Sequence, residues 1–191
     1  MNWLGRIIQK EVTPDDIVLD LGCGIMQATT DVINTDSRQA RKIFDKLGYD
    51  MNHSLSGNLK CKTILGCDIW EPYLKVVSQR YPTIKLTMSE LDKFIDNSYD
   101  VVMALDVLEH LKLEDAQAVI DHMKRITRNK VIIYTPSKRM SNEENVDNAW
   151  NMGKNQYQIH QCFLEPENLS ALGFRVSFPE PDKNTLGIFT K

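Results

Sequence analysis

Three short stretches hold the residues whose types and spacing can do chemistry. The first is Asp20-Leu21-Gly22-Cys23-Gly24. Paired glycines allow a turn at positive φ and let a bulky ligand lie directly on the backbone. A carboxylate just ahead of them suits a ligand with a positive end, such as an amino acid's ammonium, and would repel a pyrophosphate. The G-x-G-x-x-G dinucleotide fingerprint fails here, because its third position is Gln27. The second stretch is Asp68-Ile69-Trp70, after the apolar run 63–67. An acidic residue at such a strand end accepts hydrogen bonds from the hydroxyls of a ribose. Trp70 either flanks a base or packs at the start of the next helix. The third group is Asp106-Val107-Leu108-Glu109-His110, with Tyr157, Gln158 and His160 further on. An imidazole titrates near ~6.5 and takes a proton at neutral pH. His160 is the candidate general base or, alternatively, only a hydrogen-bonding loop residue; His110 is its runner-up. Tyr157, Gln158 and His110 are candidate substrate contacts. Asp106, Glu109 and His110 have a spacing that sets them on one helical face, where a metal is conceivable.

The elements that must position these groups alternate between strand and helix. Ile17-Val18-Leu19 reads as a buried parallel strand that ends at Asp20. A helix opens at Glu71 with Pro72 in its first turn. A short strand is expected at 85–87. The run 99–105 is the longest strand signal, and Leu105-Asp106 ends it. Apolar residues at 116, 119, 120, 123 and 126 give a helix over 114–126, and 130–134 gives a fifth strand. Residues 138–161 are polar and irregular. A last helix from 165 ends on a Gly173 cap, and strands at 175–178 and 186–190 close the chain. A further short amphipathic helix is expected over 2–10.

The interval between the first two strands is long. Asp68 lies 44 residues beyond Gly24, against ~20 in a compact dinucleotide-binding unit. An insertion at about 34–61 accounts for it, with a second helix over 37–47 and a turn-rich stretch at 48–60 that is either a lid or a tolerated surface loop.

Asp20-Leu21-Gly22-Cys23-Gly24 resembles the first motif of the class I S-adenosylmethionine-dependent methyltransferases. The block DNSYDVVMALDVLEHL (96–111) resembles the fourth-strand motif of their small-molecule branch and is the more specific match. The resemblance covers roughly 15–191. It implies an α/β fold: a single doubly wound, mostly parallel, seven-stranded sheet with a final antiparallel strand and helices on both faces, in one domain spanning 1–191. It implies S-adenosylmethionine as methyl donor and S-adenosylhomocysteine as product. Asp20, Gly22, Cys23 and Gly24 then lie around the amino-acid end, Asp68 and Ile69 at the ribose and base, and Leu105 and Asp106 near the sulfonium or adenine. The family's usual acidic residue after strand three is missing. Ser89, or the backbone at Met88, stands in its place. The motif accounts for Asp106, Glu109 and His110 without a metal, and none is assigned.

The chain has 191 residues and a net charge of −3, so its average surface does not favour a nucleic-acid partner. No apolar run approaches the ~18 residues of a membrane span. Cysteines at 23, 61, 67 and 162 form no C-x-x-C pair, and unpaired thiols suit a cytoplasmic location. A small-molecule acceptor, methylated at oxygen or nitrogen, is the leading expectation. An RNA or protein methyltransferase using the basic residues of the insertion, and a non-catalytic S-adenosylmethionine-binding protein, are the alternatives. The oligomeric state stays open.

Overall fold

The computed structural model describes residues 3–26, 59–79, 81–142, 154–180 and 183–191. The helix expected over 37–47, the stretch 48–58 and most of the insertion expected at 34–61 lie outside the described residues. Seven strands form one sheet: β1 (Ile17–Leu21), β2 (Thr63–Asp68), β3 (Thr83–Lys85), β4 (Tyr99–Leu105), β5 (Thr127–Pro136), β6 (Arg175–Glu180) and β7 (Asn184–Thr190), in the order β3-β2-β1-β4-β5-β7-β6. β1 pairs in parallel with β2 on one side and β4 on the other. The chain therefore runs outward to β3, then returns across β1 to continue at β4. Open α/β sheets bind ligands at such a reversal, in the crevice outside the strands' carboxyl ends. β7 is antiparallel to both β5 and β6.

Strand periodicity divides the core into two layers. Leu19, Leu21, Val102, Ala104, Val131 and Ile133 face one way and pack against α3 (Leu113–Ile126). That helix buries Ala116, Val119, Ile120, Met123 and Ile126, the five positions its apolar spacing marks. It carries acids in its first turn and Lys124 and Arg125 in its last, complementing its dipole. α4 (Pro166–Ala171) adds Leu169 to the same layer. Val18, Val101, Met103, Ile132 and Tyr134 face the other way, against Leu4 and Ile8 of α1 (Trp3–Ile8) and Leu74 and Val77 of α2 (Glu71–Val77). Each fully buried aliphatic side chain contributes ~1.5–3 kcal/mol, so both layers hold the strand ends rigidly.

β3 sits two residues earlier than the expected 85–87. The cause is local. Thr87 and Glu90 form a capping box that opens a 3-10 turn over Met88–Lys93, with the Thr87 N–H donating to Glu90 Oε2 at 3.0 Å. Thr87 therefore starts a turn instead of ending a strand. At the far end, α4 stops as expected at Gly173, whose φ is +84°.

Candidate active site

The glycine loop is shaped by its neighbours as much as by its own residues. Gly22 has φ +63°, and a Cβ there would lie 2.5 Å from Val107 Cγ2, so only glycine lets the ends of β1 and β4 meet. The Cys23 N–H donates to the Cys67 carbonyl at 2.9 Å, folding the loop over β2. Gly66 makes room for it: a Cβ at that position would lie 2.6 Å from Met26 Sδ and 2.9 Å from Cys23 Sγ. Among the described residues, nothing lies within 4 Å of a Cβ built at Gly24.

Asp68 ties this loop to the next. Its Oδ2 accepts from the Gly24 N–H at 3.0 Å and its Oδ1 from the Trp70 N–H at 2.8 Å. Each carboxylate oxygen keeps lone-pair capacity for a further donor. Burial pushes Asp68 above the ordinary carboxylate range, and the bonds from the Trp70, Gly24 and Ile69 N–H groups pull the other way. Asp20 is also buried, at 2% exposure, in register between Gly66 and Met103.

Beyond β4 the chain turns sharply. Asp106 takes φ +54°, an unfavourable conformation for a residue with a side chain, while its N–H donates to the Tyr134 carbonyl at 2.8 Å. A 3-10 turn over Leu108–His110 follows. It carries Glu109 into the interior at 2% exposure, where Thr135 Oγ1 donates to Glu109 Oε2 at 3.2 Å. Burial raises Glu109 well above the usual carboxylate range, and the Asp106 charge adds to this. Burial, and then the neighbouring His160, hold His110 down to about 4.

The segment carrying His160 is stitched onto that turn. The Gln161 and Cys162 N–H groups donate to the Glu109 carbonyl at 2.7 and 3.1 Å. The Gln161 side-chain amide donates to the His110 carbonyl. The His160 N–H donates to Asn142 Oδ1 at 2.8 Å, and its Nδ1 lies 3.0 Å from the Met140 carbonyl oxygen. A carbonyl only accepts, so Nδ1 carries a proton and Nε2 of the neutral ring keeps the lone pair. The His110 and His160 rings lie 4.9 Å apart, tilted by 52°. Asn155, buried, accepts from the Tyr157 N–H at 3.0 Å and so shapes the turn that presents Tyr157 and Gln158.

The described residues enclose a cleft of about 850 Å³ at these strand ends. Asp20, Gly22, Cys23, Gly24, Asp68, Ile69, Leu105 and Asp106 line it, and so do His110, Tyr157, Gln158 and His160. Of the two alternatives after β3, Met88 lines the cleft and Ser89 does not; the Ser89 hydroxyl pairs with Thr87 Oγ1 at 2.8 Å. Trp70 does not line it either. Its ring packs edge-on against Tyr73, with centroids 4.4 Å apart, and of these two it is Tyr73 that reaches the cleft. Sequence reasoning missed Tyr73, Asn142 and Asn155. The first had a signal, an aromatic in the first turn of the helix that Trp70 precedes; the two asparagines had none.

Residues 48–135, a little under half of the chain, match the family model described as a methyltransferase domain. The match runs through β2, β3, β4 and β5, with the glycine loop N-terminal to it. The sheet order is that of the Rossmann-like methyltransferase fold, and the family match covers its β2 to β5. Solved structures share this fold at low identity. The magnesium protoporphyrin IX methyltransferase of Synechocystis PCC 6803, crystallised with bound SAH, is 16% identical, with a TM-score of 0.55 over 98% of this chain and 80% of that one. A SAM-dependent methyltransferase from Archaeoglobus fulgidus is 15% identical, with a TM-score of 0.55 over 98% and 94%. The methyltransferase domain of bacterial CtHen1-CN is 18% identical, with a TM-score of 0.54 over 98% and 97%. No curated protein sequence matches the chain.

Proposed function

We propose that this chain methylates a small-molecule acceptor, at oxygen or nitrogen, by in-line displacement, and that it does so in the cytoplasm. The observation that carries the reading is the pairing, in one cleft, of a donor-type glycine loop with a separate imidazole-bearing wall. The cleft, at about 850 Å³, stands near the upper end of the ~300–1,000 Å³ usual for ligand sites, which leaves room for an acceptor beside the donor. The free thiols of Cys23, Cys61, Cys67 and Cys162 suit a reducing compartment. No helix among the described residues is long and apolar enough to cross a membrane.

The residues present fit S-adenosylmethionine. Among the described residues no atom crowds Gly24, Asp68 has lone pairs to spare for ribose hydroxyls, and Asp20 supplies a carboxylate for the ammonium. Bound there, the donor supplies a methyl group already activated on a sulfonium. Ile69 and Leu105 are assigned to donor binding and Asp106 to its sulfonium or adenine side. The chain's own work is then alignment, worth ~7–11 kcal/mol where geometry is good. Tyr157 and Gln158 orient the acceptor, and the Nε2 lone pair of His160 receives its proton in the metal-free protein, with Nδ1 anchored on Met140.

Incubating the protein with methyl-labelled S-adenosylmethionine and separated small-molecule, RNA and protein fractions of a cell extract tests the reading. Label should appear in the small-molecule fraction. Label confined to RNA or protein would contradict it.

A further inference from the structure

Glu109, His110 and His160 each offer a ligand atom, and these three atoms lie within 4.8 Å of one another. We propose that they form a binding site for a divalent first-row transition ion, open toward the acceptor side of the cleft. The proposal rests on the methyltransferase reading only for the ion's use, not for its binding.

Three observations support it. The donor set is two imidazoles and one carboxylate, which suits ions such as zinc, cobalt or manganese and leaves coordination positions free; magnesium and calcium prefer all-oxygen sites. Nδ1 of His110 is buried and has no hydrogen-bond partner among the described residues. Glu109 is a carboxylate buried at 2% exposure, a setting that favours a cation beside it.

The supporting shell is also in place. The His160 Nδ1 proton is fixed on the Met140 carbonyl and Glu109 is held by Thr135, the kind of second contacts that orient metal ligands. The Gln161 and Cys162 bonds to the Glu109 carbonyl fix the two histidine-bearing segments side by side. Two atoms bound to one ion at ~2.1 Å lie no more than ~4.2 Å apart, so the widest pair must close by about half an ångström or more. His160, only partly buried, can rotate to do so. An ion there takes the His160 lone pair, polarises an acceptor hydroxyl in an open position, and lets its proton leave to solvent.

The test is titration of chelator-stripped, full-length protein with Co2+ alone, followed by its ligand-field absorption, and with Zn2+ by calorimetry. One ion per chain is expected, weakened at least tenfold in His110→Ala, His160→Ala and Glu109→Gln, with Mg2+ failing to compete. Should the buried Glu109 variant not fold, His160→Ala decides, with its circular dichroism and S-adenosylhomocysteine affinity as controls. Absence of stoichiometric Co2+ or Zn2+ binding, or an unchanged spectrum and affinity in His160→Ala, overturns the site. Metal binding by a protein that does not bind S-adenosylhomocysteine supports the site while removing the methyltransferase reading.

Discussion

Asp20, Gly22 and Asp68 sit on or beside the ends of central strands, and their positions are fixed by sheet register and by two buried layers. His160 sits on no strand or helix. It is held by its own bonds to Asn142 Oδ1 and the Met140 carbonyl, and by those of the next two residues, Gln161 and Cys162, to the Glu109 carbonyl. The two halves of the cleft therefore differ in what a substitution does to them. A change on the strand-end half disturbs the framework together with the ligand site. A change on the loop half alters what is bound and leaves the framework alone. Such a division lets one donor-binding sheet serve different acceptors.

The sharpest separation comes from His160→Ala. Transfer should slow by ~10²–10⁴, the usual contribution of a group that assists proton loss, while S-adenosylhomocysteine affinity stays within twofold. Single-turnover kinetics on the acceptor found by the fractionation experiment, beside calorimetry, would show it. A parallel loss of donor-product affinity would merge the two halves.

The glycines test the framework half. Gly22→Ala combines a left-handed backbone with a clash on Val107 and should cost about 3 kcal/mol or more of folding stability. Gly24→Ala meets no neighbour within 4 Å among the described residues and should cost only about 1–2 kcal/mol, from its φ of +52°. Denaturant unfolding of both variants ranks them. Equal losses would mean that backbone conformation alone, and not the contact with β4, constrains the loop.

The smallest effect is expected away from the cleft. Glu11 accepts from Lys130 Nζ at 2.9 Å and from Arg175 at 2.9 Å, joining the segment before β1 to β5 and β6. Burial raises its carboxyl, but the bonds and charges of Lys130 and Arg175 outweigh this and leave it below the usual value of 4.5. A lowered folded value gives stability that is present above the usual carboxylate range and lost as pH falls through the folded value. Glu11→Gln should therefore cost less than ~1 kcal/mol at neutral pH, and the gap from the parent should close in acid. Thermal melts across pH measure it, with cleft binding unchanged.

The same division explains what the sequence could tell. Asp20, Gly22, Gly24 and Asp68 were legible because an apolar run followed by an acid or a glycine pair marks a strand end wherever it occurs. The helix over Leu113–Ile126 was legible because its five buried residues repeat at helical spacing. β3 was misplaced because Thr87 has strand propensity but also begins a Thr-x-x-Glu capping box. The burial of Glu109 was not legible, since a charged residue beside a histidine reads as a solvated helix face. The meeting of His110 with His160 was not legible either. It depends on the backbone N–H groups of Gln161 and Cys162, which no side-chain pattern announces. Of the two readings of Trp70 the packing one holds, and Tyr73 reaches the cleft instead, because spacing does not say which of two aromatics turns inward.

The central claim, that the strand-end half binds the methyl donor through Asp68, is tested most directly by calorimetric titration of S-adenosylhomocysteine into the parent protein and Asp68→Ala. The variant loses charge-assisted bonds worth ~1.5–3 kcal/mol each and the clamp on the Gly24 and Trp70 backbone. One-site binding by the parent, weakened at least ~tenfold in Asp68→Ala, is the predicted result. No binding by the parent, or equal affinity in the variant, would contradict the account.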